Sequence, residues 1–131
     1  MRVCVTGGSG FIGHKLIFRC LKLGYEVRYL TRSNNCLIEN AIAYIGNVNS
    51  AAEVLLPFFK DVNIFYHCAG EVNDLANMWS THVQGTINLL SIIEKSRFSN
   101  QAFFHWENPT LPRGYWDYHY RRYKINGRSE K

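Results

Sequence analysis

Apolar positions along the first two-thirds of the chain follow two alternating periods. Val3, Cys4 and Val5 form a short apolar run, and Phe11 to Leu23 follows with Ile12, Leu16, Cys20 and Leu23 on one helical face. Gly24 supplies the stop. A second strand is expected at Glu26–Leu30 and a third at Ala41–Ile45, after the polar loop Ser33–Asn35. Val62–Tyr66 reads as a fourth strand, apolar as one buried on both faces should be. Ser50-Ala51-Ala52-Glu53 matches a capping box, which predicts a short helix from there toward Phe59. A longer helix is predicted from Leu75 to Ser96, where Val83, Ile87, Leu90 and Ile93 keep helical spacing. Strand and helix alternating four times imply an α/β fold, a parallel sheet with helices on both faces.

Beyond Arg97 the pattern changes. Leu111 and Ile125 are the only Leu, Ile or Val residues there, against nine aromatics that include Phe103, Phe104, Trp106 and Tyr115. Without an aliphatic run no fifth central strand is expected, which leaves about four strands, an incomplete sheet and the fourth strand as an open edge. The chain therefore divides into a folded part, residues 1–96, and an aromatic, basic tail, residues 97–131. Charge divides at the same point. Of the net +5, eight basic and seven acidic residues lie through Ser96, and seven basic and three acidic residues follow.

Cys4, Cys20, Cys36 and Cys68 are scattered, with no C-x-x-C pair and no histidine at ligand spacing, so no metal site is expected. They suit buried thiols in a reducing, cytoplasmic setting. No apolar run is long enough to span a bilayer, and the first strand breaks into glycines too early for a secretory leader.

The chemistry concentrates where the first strand meets the first helix, at Gly7, Gly10 and Gly13, spaced G-x-x-G-x-x-G. Gly7 permits a sharp turn, Gly10 leaves room for phosphates, and Gly13 lets the helix pack tightly on its strand. Free N–H groups and the dipole at the helix start then attract a pyrophosphate. Ligands on parallel sheets bind at the carboxyl ends of the strands. Thr31-Arg32 and Cys68-Ala69-Gly70 are expected at two further such ends.

Thr6-Gly7-Gly8-Ser9-Gly10-Phe11-Ile12-Gly13 resembles the signature of the extended short-chain dehydrogenase/reductase family, which includes nucleotide-sugar epimerases and dehydratases, hydroxysteroid dehydrogenases and dihydroflavonol-reductase-like enzymes. Three more motifs follow in the family's order. Gly46-Asn47-Val48 resembles the turn beside the adenine, with Asn where Asp is usual. Phe65-Tyr66-His67-Cys68-Ala69-Gly70 resembles the end of the fourth strand, and His82-Val83-Gln84-Gly85-Thr86-Ile87-Asn88-Leu89-Leu90 the following helix, with His82 in place of Asn. The resemblance covers residues 1 to about 96 and implies a Rossmann-type fold. It implies cofactor contacts from Gly7, Gly10, Phe11, Ile12, Gly13, Thr31, Arg32, Asn47, Val48, Cys68, Ala69 and Gly70. Family members that bind NAD end the second strand with an acid, whereas Leu30-Thr31-Arg32-Ser33 carries an arginine able to pair with a phosphate. That favours NADP, with NAD as the alternative.

The family's catalytic pair is Tyr-x-x-x-Lys, in which the lysine lowers the tyrosine's pKa. Tyr120 and Lys124 have that spacing, but no fifth strand or serine element precedes them, so no catalytic residue is assigned. The resemblance implies the cofactor half of an oxidoreductase or epimerase, truncated and of doubtful competence. The alternative is a non-catalytic dinucleotide-binding regulatory module. Expected partners are the dinucleotide, a small-molecule substrate if the chain is active, and a second copy through helix pairing. The basic, aromatic stretch Tyr115–Lys124 reads as a tail rather than a nucleic-acid surface.

Overall fold

A computed structural model describes residues 1–35, 37–71 and 73–96, and the backbone of 102–105. Its elements are β1 (Arg2–Thr6), α1 (Phe11–Lys22), β2 (Glu26–Thr31), β3 (Ile42–Ile45), α2 (Ala52–Phe59), β4 (Ile64–His67), α3 (Leu75–Trp79), α4 (Gly85–Lys95) and β5 (Ala102–His105). A π-helical turn, Ser80–Gln84, joins α3 to α4 without a break. The strands are all parallel and lie in the order β3-β2-β1-β4-β5. This is the expected Rossmann-type sheet.

Alternation along the strands feeds two cores. Val3, Val5, Val27 and Tyr29 face α1 and meet Ile17 and Cys20. Cys4, Leu30 and Phe65 point the other way, onto Leu55, Phe58 and Phe59 of α2 and Leu89 and Ile92 of α4. Both faces are thus covered, as the apolar strands require.

Two local expectations change. The capping box at Ser50 does not form: Ala51 is the N-cap of α2 without a side-chain bond, and the Ser50 hydroxyl instead accepts from the Asn47 N–H at 2.9 Å. The Ser50 oxygen is turned to the preceding loop and makes no bond to the amides of the helix start. The second change is β5, which pairs with β4 in register from Ile64↔Ala102 to His67↔His105. β4 is therefore not the sheet's edge. Ala102-Phe103-Phe104-His105 has no Leu, Ile or Val, but aromatics favour strands too, and counting only those three residues hides it.

The carboxyl end of α2 is closed by a side chain from β2. Arg28, 8% exposed, donates to the carbonyls of Pro57, Phe58 and Lys60 and pairs with Glu26 at 3.2 Å. A cation at the negative end of a helix dipole satisfies groups that otherwise lack partners.

Candidate functional site

The carboxyl ends of β1, β2, β3 and β4 open onto one cleft of about 550 Å³. Its floor is the glycine corner. Gly7 has φ +70°, and a Cβ there would lie 2.6 Å from the Cys68 carbonyl carbon, so only glycine fits. A Cβ on Gly13 would run into the Gly7 carbonyl oxygen, and one on Gly10 would sit 3.2 Å from the same atom. The Gly10 N–H donates to Gly7 O at 3.0 Å, closing the turn, and Gly10 is the N-cap of α1. The first-turn amides of Phe11, Ile12 and Gly13 precede the first intrahelical donor, His14, and stay free for an anion. Phe11 is 77% exposed, with the Lys15 Nζ 4.2 Å from its ring centre, and Ile12 is also exposed. Neither side chain lines the cleft, so their contribution is confined to the backbone.

On one side the walls are Leu30, Thr31 and Arg32 after β2, with Gly46, Asn47, Val48 and Asn49 after β3. Arg32 is exposed, and no described residue takes its guanidinium in a hydrogen bond or ion pair. On the other side stand Cys68, Ala69, Gly70 and Glu71, with Asn77, Ser80 and Thr81 from α3 and the π-turn. Burial pushes the Cys68 thiol above its ordinary pKa, which keeps it protonated and unreactive. Among the described residues no cluster could hold a metal ion, and no helix is long and apolar enough to cross a membrane.

The sequence singled out the glycine corner, Thr31-Arg32, Asn47-Val48 and Cys68–Gly70, and the structure brings these segments to one cleft. It did not single out the side chains that hold the walls. Asn88 on α4 donates from Nδ2 to the Val48 carbonyl at 2.9 Å and to the Ser50 carbonyl at 3.0 Å. Asn49 Nδ2 donates to the Ser80 carbonyl and hydroxyl at 3.0 and 3.1 Å. A Cβ on Gly85 would strike Val48, so the missing side chain lets α4 press against the loop. The signal available was spacing: Asn88 follows Gly85 by three residues, on the same helix face.

A buried polar chain supports the opposite wall. The Ala69 N–H lies 3.4 Å from Thr6 Oγ1, which is 2.6 Å from His67 Nδ1, and His67 Nε2 is 3.0 Å from Thr86 Oγ1. Thr86 donates its hydroxyl to the His82 carbonyl at 2.6 Å, so it must accept from His67 Nε2–H. The Thr6 oxygen takes the Ala69 N–H, and its own hydrogen is available to His67 Nδ1. His82 is buried too, with Nε2 3.0 Å from the Glu71 N–H and its ring against Gly70. Both histidines therefore fix the segment after β4. Tyr120, Lys124 and the aromatic stretch at 115–124 lie outside the described residues.

The sequence profile described as the NAD dependent epimerase/dehydratase family matches residues 3–105. Protein BRI1-5 ENHANCED 1 of Arabidopsis thaliana is 44% identical over 61 residues, which cover 47% of this chain and 17% of that protein. The UDP-glucose 4-epimerase of Thermotoga maritima, solved with UDP-glucose, superposes with a TM-score of 0.67 at 24% identity, covering 79% of this chain and 37% of that one. The UDP-glucose 4-epimerase of Thermus thermophilus, solved with NAD, gives a TM-score of 0.74 at 18% identity, covering 97% of this chain and 52% of that one. The chain thus spans about half or less of the length of these proteins.

Proposed function

The chain belongs to the NAD dependent epimerase/dehydratase family, and from that membership and its cleft we propose that it binds a pyridine dinucleotide. The pyrophosphate lies on the free amides at the start of α1, over Gly7 and Gly10. One nucleoside extends toward Arg32 and Asn47, the other toward Cys68–Glu71. The observation that carries this reading is the corner itself. It has three glycines whose Cβ atoms would meet backbone within about 3 Å, at a helix start that opens onto four strand ends. The solved Thermus thermophilus relative, which holds NAD, supports the choice of dinucleotide.

Within this reading NADP is preferred. The exposed Arg32 guanidinium stands at the end of β2 without an acidic neighbour at Thr31 or Ser33, and it can form a charge-assisted pair with a ribose phosphate. The dinucleotide supplies hydride chemistry when bound. The residues of this chain hold its phosphates and set the walls of the cleft. Substrates are small carbonyl compounds or nucleotide sugars; the Thermotoga maritima protein was solved with one of the latter, UDP-glucose. The setting is cytoplasmic, supported by Cys4, Cys20 and Cys68 standing as free thiols.

Titration of the purified chain with NADP and NAD tests the reading. Saturable binding is expected, tighter for NADP, and Arg32→Ala should weaken NADP about tenfold while leaving NAD unchanged. No affinity for either at millimolar concentration refutes it. Binding without turnover on carbonyl and nucleotide-sugar substrates assigns the chain to a non-catalytic, regulatory role instead.

A further inference from the structure

We propose that the outward face of α1 docks on the surface of an anionic phospholipid membrane. The inference goes beyond the dinucleotide reading and stands whether or not the cleft is filled. Helix α1 turns Ile17 and Cys20 onto β1 and β2 and leaves its opposite side open. At i, i+4, i+7 and i+11, Phe11, Lys15, Phe18 and Lys22 form one exposed ridge, with the exposed Arg19 beside it. The ridge runs about 17 Å along the helix axis.

The positive charge of this face has no answering acid among the described residues. No Asp or Glu occurs from Val3 to Tyr25. Glu26, the next acid, is taken by Arg2 at 2.7 Å and Arg28 at 3.2 Å. Lys15, Arg19 and Lys22 make no ion pair with any described residue. Together with Phe18 they line an open hollow of about 320 Å³.

Large apolar side chains accompany the charge. Phe11 and Phe18 are exposed within the ridge, and Ile12 and Leu23 are exposed on the flank beyond Arg19. A helix lying in the plane of a bilayer sets Lys and Arg among the headgroup phosphates while Phe and Leu reach the acyl boundary. Charge complementarity alone would admit an acidic peptide. Apolar groups on both sides of the cations, along the whole helix, fit a broad apolar boundary better. A nucleic acid would call on the rings for stacking, but Lys15 Nζ lies over Phe11 and the His14 ring is tilted against Phe18 at 4.9 Å.

Flotation of the full chain with vesicles of phosphatidylcholine, alone or with about 30% phosphatidylserine, tests the inference. Binding is expected to the mixed vesicles only, weakening about tenfold or more as salt rises from about 0.05 to 0.5 M. The triple variant Lys15→Gln, Arg19→Gln, Lys22→Gln should bind about a hundredfold more weakly, about fivefold for each cation, with its circular dichroism unchanged. Phe18→Ser keeps every charge and should bind about tenfold more weakly. Should the triple variant misfold, the salt dependence and Phe18→Ser decide in its place. The seven basic residues after Ser96 remain in every variant, so undiminished binding by the triple variant puts the contact there and overturns the inference. Unchanged binding by Phe18→Ser, equal binding to neutral vesicles, or none to anionic ones overturns it as well. So does capture of polyglutamate or a single-stranded oligonucleotide without affinity for vesicles. A chain that binds anionic vesicles but no dinucleotide keeps this inference and loses the earlier reading.

Discussion

Gly13 and Gly7 show how narrowly the corner is specified. A methyl group on Gly13 has to displace the Gly7 carbonyl, and one on Gly7 meets the backbone of Cys68 in a conformation that side chains avoid. Gly13→Ala is expected to destabilise the chain by about 2 kcal/mol in urea unfolding, in the range of overpacked interiors, and to abolish dinucleotide binding. At this scale the sequence was most legible, because glycine is the residue that backbone approach demands. Arg32 was legible for its charge, and Asn47 and Cys68 for their places in motifs. His67 and His82 were legible as members of motifs, but their partners were not. Which atom of Thr6 or Thr86 they touch depends on strand register and helix phase, which no local pattern states.

Among the elements, the helical stretch Leu75–Lys95 carries more of the site than its amphipathic pattern suggests. Its π-turn inserts an extra residue where Ser80 and Thr81 reach the cleft, a common arrangement at functional sites. Periodicity predicts one helix there and is right about continuity, but a single wide turn shifts the phase too little to register in apolar spacing. α4 then grips the Gly46–Ser50 loop through Asn88 and Gly85. Asn88→Leu should leave the far-ultraviolet circular dichroism unchanged. It should weaken NADP about tenfold in fluorescence titration, since two loop carbonyls lose their donor. The strands were placed to within two residues by their apolar runs, apart from β5, whose aromatic composition conceals it. The cap on α2 was misjudged because Ser50 serves a neighbour in the loop.

For the molecule as a whole, the cleft draws residues from four strand ends, so ligand and fold are coupled. NADP at a hundred times its dissociation constant should raise the unfolding free energy by about 2.7 kcal/mol, seen as a higher melting temperature. Alkali should act the other way. Burial pushes the Cys4 thiol far above its ordinary pKa, and desolvation raises those of Cys68 and Tyr66. The unfolded chain releases its thiol protons above about pH 8.5 while the folded chain retains them, so stability falls as pH rises past that point. Urea midpoints measured between about pH 8 and 10.5 should decline, and less steeply in Cys4→Val, where the Phe58 carbonyl keeps its bond from Arg28. On the acid side, Glu26 is held below the usual carboxylate range chiefly by its hydrogen bond to Arg2, so its small contribution fades as pH drops through that range. Deep in this framework, the thread from the Ala69 amide to the His82 carbonyl has a fixed direction, because a group that can only give stands at one end and one that can only take at the other. The other tautomer of His67 would set donor against donor at Thr6 and acceptor against acceptor at Thr86. The ring of His67 is thereby keyed in place, and the three elements it joins, β1, β4 and α4, are indexed to one another by a single heterocycle.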